Sequence, residues 1–340
     1  MLSSTGYMRI SVLPIISFFR GLPALRRAIS TTWTFKDEKI QVKPGKTAVL
    51  ITGCDSGLGY SFARHCQDYY GLIVIACCLN PTGEGASRLM KDYPKGIHVI
   101  KLDLLCHQSL DDMKSEVAEL AKTNGYEIHA VVNNSGVMTM GEFEWLTHEQ
   151  IFEMVSVNLI GAMNVTKNIL PYLRETRGRV VNISSHCSLA SMPGLSVYGA
   201  TKSALEAWST ALRIELEKFQ VDVVTVIPGS YVTESLILKG VKSSSEKMWD
   251  SMSDASKMTH EGNFRRFYDY LEAIPVPKLG YIHDDALFER FDSALLSTRP
   301  KRQYVHGPLR YRLYFFLFTI SPTVRIKEYL IKRFVNLPGF

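Results

Sequence analysis

From Lys46 onward, short apolar runs recur along the chain: Ala48–Ile51, Leu72–Cys78, Ile97–Leu102, Ile128–Val132, Val180–Ile183 and Val221–Ile227. Between them, Leu110–Leu120, Ile151–Leu173 and Ala204–Phe219 carry apolar residues at helical spacing. A strand that is apolar at nearly every position is buried on both faces, and alternation with amphipathic helices is the pattern of βαβ units. Right-handed crossovers then predict an α/β fold: one doubly wound parallel sheet with helices on both faces. No Gly/Pro/Ser-rich linker divides this region, so 46–308 reads as a single domain. The alternation stops after Gly229. Residues 231–280 are rich in Ser, Lys, Met and aromatics, and so long an excursion inside a compact domain reads as a substrate lid.

The two ends differ from the body. Residues 1–36 hold Arg9, Arg20, Arg26, Arg27 and Lys36 with no acid, while 299–340 hold nine basic residues against Glu328 alone. The formal charge of the whole chain is only +6, so the body between them is mildly acidic. An acid-free, Arg- and Ser-containing start fits a mitochondrial transit segment, with an interfacial anchor or a plain tail as the other readings of 1–40. Leu313–Ile320 is strongly apolar but far shorter than a membrane span. With its basic flanks, 309–340 reads as a tail that associates with a membrane surface or makes an oligomer contact. A membrane-associated protein is therefore expected, mitochondrial or, alternatively, on the endoplasmic reticulum. Nucleic-acid binding is not expected, because the charge lies at the ends and not on an aromatic-studded folded platform. Cys54, Cys66, Cys77, Cys78, Cys106 and Cys187 include no C-x-x-C pair, so neither a metal centre nor a disulfide framework is expected.

The candidate chemistry begins where the first apolar run ends. Thr52-Gly53-Cys54-Asp55-Ser56-Gly57-Leu58-Gly59 places three glycines between a strand and a helix. Such a turn lets backbone approach a pyrophosphate, and the helix N-terminus offers free N–H groups to it. The second run ends in Cys78-Leu79-Asn80 with no cation for a 2′-phosphate, which predicts NAD(H), with NADP(H) as the alternative. Ser184 and Ser185 close a later run, and Tyr198 and Lys202 lie four apart in a helix, on one face. An ammonium beside a phenol favours the phenolate, so this pair suggests a tyrosine acting as acid or base.

Taken in order, Thr52-Gly53-x-x-x-Gly57-x-Gly59, Leu102-Asp103, Asn133-Asn134-Ser135-Gly136, Asn158, Ser185, Tyr198-x-x-x-Lys202, and Pro228-Gly229 with Thr233 resemble the short-chain dehydrogenase/reductase family over about residues 46–310. The resemblance implies a Rossmann-like sheet and a homo-oligomer. It implies that Tyr198 exchanges a proton with the substrate oxygen. Lys202 would bind the nicotinamide ribose and lower the Tyr198 pKa. Ser185 would hydrogen-bond the substrate oxygen, and Asn158 would hold a water linked to Lys202. Thr52, Gly53, Ser56, Gly57, Leu58, Gly59, Asp103, Asn133, Pro228, Gly229 and Thr233 would line the dinucleotide. Two positions depart from the family's usual pattern, Ser135 in place of alanine and Ser188 in place of glycine. Thr52–Gly57, Ala76–Leu79, Lys247-Met248-Trp249 and the apolar tail resemble a branch that includes 3-hydroxybutyrate, 17β-hydroxysteroid and retinol dehydrogenases and insect ecdysteroid-pathway members.

The expected substrate is a small apolar molecule. The loop from His186 to Val197 has no basic side chain apart from His186, and Val137–Met140 has none. A small carboxylate would need a cation there. Met138, His186, Leu189, Met192 and Leu195 are the expected pocket residues, which favours a steroid, sterol or retinoid over 3-hydroxybutyrate. A binding protein on a retired dehydrogenase fold would lack one of Asn158, Ser185, Tyr198 or Lys202, and all four are present.

Overall fold

The structure is a computed structural model that describes residues 38–276, 279 and 281–335. The chain divides into Met1–Glu38 and Lys39–Phe340, and the account below concerns the second unit. The expected targeting or anchor segment thus lies almost wholly outside the described residues.

The six apolar runs form β1 (Thr47–Thr52), β2 (Ile73–Cys78), β3 (Ile97–Lys101), β4 (Glu127–Asn133), β5 (Arg179–Ile183) and β6 (Asp222–Ile227). A seventh, three-residue strand, β7 (Gln303–Val305), was not legible as an apolar run. All neighbours pair in parallel, in the order β3-β2-β1-β4-β5-β6-β7. The connecting helices are α1 (Gly57–Tyr70), α2 (Glu84–Asp92), α3 (His107–Asn124), α4 (His148–Val155), α5 (Ala162–Thr176) and α6 (Ser196–Leu216). The period of two in a strand decides the layers. Val49 and Ile51 of β1 face one apolar cluster, with Phe62 and Cys66 of α1. Ala48 and Leu50 face the other, with Met113 of α3 and Ile169 of α5. The order reverses between β1 and β4, so the carboxyl ends of those strands open a crevice at the switch point.

Further helices follow: α7 (Val241–Ser251), α8 (Asp254–Glu272), α9 (Asp285–Leu296), α10 (Leu309–Ile320) and α11 (Val324–Phe334). The body begins before Lys46, because Ile40 N–H donates to the Leu296 carbonyl at 2.7 Å. The excursion after β6 is helical. Its α7 and α8 bury Met248, Phe264, Phe267 and Leu271 around Trp145 in an apolar cluster of their own.

Candidate active site

The glycine turn follows β1 directly. Gly53 has φ +71° and Gly57 φ +60°, the left-handed region that favours glycine. A Cβ on Gly59 would collide with the Gly53 carbonyl and the Asn134 amide. This turn is braced by Asn134, not by Asn133. Asn134 Nδ2 donates to the Thr52 carbonyl at 2.9 Å, and Thr52 Oγ1 accepts both Asn134 N–H and Ser135 N–H at 3.0 Å. Ser56 precedes α1 in extended conformation without a side-chain cap, and the first turn carries no acid. The N–H groups of Gly57, Leu58 and Gly59 therefore keep the positive end of the helix available to a phosphate.

The Asn133 side chain turns into the sheet instead. Its Nδ2 donates to Thr166 Oγ1 at 2.8 Å and Asn182 Oδ1 at 2.7 Å. Asn182 in turn donates to Ser209 Oγ at 2.8 Å. The Asn133 side chain is thus spent in a buried network that joins β4, β5, α5 and α6, on the face of the sheet away from the glycine turn. Asp103 accepts Leu105 N–H at 2.9 Å in the turn after β3. Pro228, Gly229 and Thr233 lie in the loop after β6, and Thr233 Oγ1 donates to Glu234 at 2.8 Å. That loop reaches the glycine turn, since a Cβ on Gly57 would lie 3.0 Å from Ser235 Cβ.

At the end of β2, an unforeseen residue carries charge. Asp55 Oδ2 accepts Leu79 N–H at 2.9 Å and Oδ1 accepts Asn80 N–H at 2.8 Å. Arg88, the nearest downstream cation, is instead paired with Glu84 at 2.6 Å.

Ser185 follows β5 and accepts Cys187 N–H at 3.2 Å. Ser188 fixes the turn, its Oγ donating to the Ser185 carbonyl at 2.7 Å. Tyr198 and Lys202 project from the first turns of α6, with Lys202 Nζ 5.8 Å from the Tyr198 ring centre. Lys202 Nζ donates to the Ile183 carbonyl at 2.9 Å and is buried. Asn158 sits in a π-helical turn, Ser156–Gly161, inserted between α4 and α5. Such turns are rare and concentrate at functional sites. Asn158 Oδ1 accepts Val137 N–H at 2.8 Å, and its Nδ2 donates to the Val137 carbonyl at 2.9 Å and Thr201 Oγ1 at 3.2 Å. Its side chain clamps Val137 beside Tyr198. Gly136 keeps the space between them open, since a Cβ there would lie 3.4 Å from Asn158 Oδ1 and 3.6 Å from Lys202 Nζ.

The electrostatics also correct the sequence reading. Burial pushes the Tyr198 phenol above its usual range, the Cys187 thiol adds to this, and a hydrogen bond from Ser185 pulls the other way. Desolvation of the phenolate outweighs the attraction expected from Lys202. Burial also lowers the Lys202 ammonium to about 8.

Around Tyr198 the side chains are apolar. Met154, Cys187, Leu195 and Val197 are buried with it, and Val137, Met138, Met140, Leu146 and Met192 pack against them. Of the expected pocket residues, Met138, Met192 and Leu195 stand in this wall, while His186 and Leu189 also meet α10, as Met192 does. His186 stacks on Phe315 at 4.6 Å, and its Nε2 bonds the His306 carbonyl at 2.7 Å. Burial lowers its pKa, against the hydrogen bond to the His306 carbonyl, which raises it. Leu189 packs in a separate apolar cluster with Phe315, Phe318 and Phe334. Tyr268, on α8, was missed: its hydroxyl donates to the Met140 carbonyl at 2.6 Å and so pins the wall to α8. A wide cavity of about 1110 Å³ opens at the amino ends of the strands, among Glu127, Arg179 and Asp222, away from this chemistry.

A match to the short chain dehydrogenase family spans residues 47–240. The chain belongs to that family. Short-chain dehydrogenases are NAD(P)-dependent oxidoreductases, and so is this chain. The glycine cradle and uncapped α1 N-terminus fit a dinucleotide. Estradiol 17-beta-dehydrogenase 2 of Rattus norvegicus is 31% identical over 293 residues, covering 84% of this chain and 74% of that protein. Retinol dehydrogenase 7 of Mus musculus is 32% identical over 286 residues, covering 82% and 88%. The mitochondrial D-beta-hydroxybutyrate dehydrogenase of Rattus norvegicus is 33% identical over 210 residues, covering 61% of each chain. Among solved structures, a short-chain dehydrogenase from Streptomyces avermitilis superposes with a TM-score of 0.62 at 23% identity, covering 84% of this chain and 96% of that one, which shows the fold.

Proposed function

We propose that this short-chain dehydrogenase interconverts a secondary alcohol and a ketone on an apolar substrate of the steroid, sterol or retinoid class, with NAD(H). The observation that carries the substrate class is the wall around Tyr198, where Met138, Met140, Met154, Met192 and Leu195 gather, and neither 137–140 nor 186–197 contributes a Lys or Arg. Of the cations after β6, Lys239 and Lys242 are exposed, and Arg265 pairs with Glu261 at 2.6 Å. Names of the relatives point to steroid, retinol and hydroxybutyrate substrates. The lack of Lys and Arg in those two segments argues against the last.

In this reading Tyr198 passes the proton to or from the substrate oxygen, and Ser185 orients that oxygen by a hydrogen bond. The dinucleotide, when bound, supplies or accepts the hydride. Gly53, Ser56, Gly57, Leu58 and Gly59 would hold its phosphates, Lys202 its nicotinamide ribose, and Thr233 its carboxamide end. Asn158 is a positioning residue that fixes Val137. NAD(H) is preferred over NADP(H) because the loop at the end of β2 holds the Asp55 carboxylate and no unpaired cation. A carboxylate there would repel a 2′-phosphate.

Turnover of the purified full chain with NAD⁺ and NADP⁺ against hydroxysteroids, retinols and 3-hydroxybutyrate tests the reading. Hydroxysteroid or retinoid oxidation with NAD⁺ is expected. Efficient use of 3-hydroxybutyrate alone would overturn the substrate class, and an NADP⁺ preference of tenfold or more would overturn the role of Asp55.

A further inference from the structure

Helix α10 has two apolar faces, and among the described residues only one is covered. Phe315 and Phe318 are buried with Ala190 and Phe334. Leu309, Leu313, Phe316 and Ile320 are 78%, 56%, 60% and 56% exposed. At about 100° per residue these four fall within about 60° of one another, opposite Phe315 and Phe318. The outward stripe is therefore continuous along the helix, and it is flanked by Arg310 on one side and Arg312 on the other. Val324, at the start of α11, is 73% exposed, and Arg325 follows it. Between Asp292 and Glu328 the chain contains no acidic residue. This surface combines what a lipid interface selects, an apolar stripe with cations at its margins, with Glu328 the one acid of α10 and α11.

We propose that the outer face of α10 docks on an anionic lipid bilayer. Leu309, Leu313, Phe316 and Ile320 enter the interfacial layer, and Arg312 and Arg325 meet the phosphates, while Arg310 donates to the Phe334 carbonyl at 3.0 Å and ties α10 to α11. The helix lies in the membrane plane. Its 12 residues would reach only about 18 Å at 1.5 Å each, against the about 30 Å of a hydrocarbon core. Among the described residues no helix is long and apolar enough to cross a membrane. The inner face of α10 rests on the loop that follows Ser185, with Phe315 stacked on His186 and packed near Leu189 and Met192. Docking there places the loop beside Tyr198 against the phase in which an apolar substrate dissolves. That last step rests on the proposed substrate class; the docking does not.

The test is flotation of the full chain with vesicles of phosphatidylcholine plus phosphatidylserine, and of phosphatidylcholine alone, comparing the parent with Leu313→Glu/Phe316→Glu and with Arg312→Glu/Arg325→Glu. Thermal melts check folding, and sedimentation reports the oligomeric state. The parent should float with the anionic vesicles and less with the neutral ones. The apolar-stripe variant should lose at least tenfold of its partitioning at unchanged melting temperature and mass. The arginine variant should lose the preference for anionic vesicles. A parent that does not float overturns the proposal. So does a stripe variant that floats like the parent, which would assign binding to another segment such as 1–37. A stripe variant that shifts from dimer to monomer would instead give the stripe to a second copy of the chain. An arginine variant that keeps the anionic preference would overturn the electrostatic half. Substrate turnover enters none of these readouts, so failure here is distinguishable from failure of the proposed reaction.

Discussion

Burying an ammonium costs stability, and Lys202 carries that cost beside Tyr198. Its pKa of about 8 in the folded chain lies below its ordinary value, with burial the main cause. Below about pH 8 both folded and unfolded chains hold the proton, so the whole cost is present. As pH rises from about 8 toward the ordinary lysine value, the unfolded chain keeps a proton that the folded chain has lost. Stability therefore rises with pH across that window. Lys202→Met removes the charge and keeps much of the volume. It should raise stability by about 1–3 kcal/mol at pH 7, less whatever the orphaned Ile183 carbonyl costs. The gain should shrink as pH passes from about 8 to 10, while turnover is lost. Calorimetry over that range checks the sign: a variant that melts lower than the parent at pH 7 would contradict the account of this site.

The glycine turn and the lid show which elements the sequence could reveal. Gly59 has no room for a Cβ between the Gly53 carbonyl and the Asn134 amide. Gly59→Ala should therefore distort the turn, weakening dinucleotide binding at least about tenfold while costing about 1–3 kcal/mol of stability. Fluorescence titration with NADH reads the first effect and a melt the second; unchanged binding would remove the turn from the cofactor site. The six strands were legible because each is a nearly unbroken apolar run, and Tyr198 and Lys202 because their spacing is local. β7 escaped because three residues, Gln303–Val305, make no run. The direction of the Asn133 side chain was not legible, because only the pleat decides which face the last residue of β4 presents. The cover over His186 and Leu189 was not legible, because Phe315 and Phe318 lie more than 120 positions further on. Tyr268 went unseen for the same reason, its partner Met140 being 128 residues away. Local periodicity carries no information on which distant helix closes over a loop.

Across the whole molecule, the carboxyl ends of the strands bring three separate regions together. The glycine turn after β1 lies near the loop after β6, and Ser185 after β5 lies beside Tyr198 and Lys202 of α6. The acidic body and basic ends seen in the sequence take a definite form in the C-terminal hairpin, where α10 turns one apolar face to the loop after Ser185 and the other outward. In the proposed reading, reaction and membrane docking meet near one wall, built of methionines and leucines around a buried phenol. The account depends most on that phenol as the proton carrier. Tyr198→Phe removes a single hydroxyl from a packed ring, so fold and dinucleotide affinity should be kept. The decisive measurement is kcat for NAD⁺-linked oxidation of an apolar hydroxysteroid by this variant, alongside NADH binding. A fall of at least about 10²–10⁴-fold with binding retained is the predicted result, and turnover close to that of the parent would contradict it.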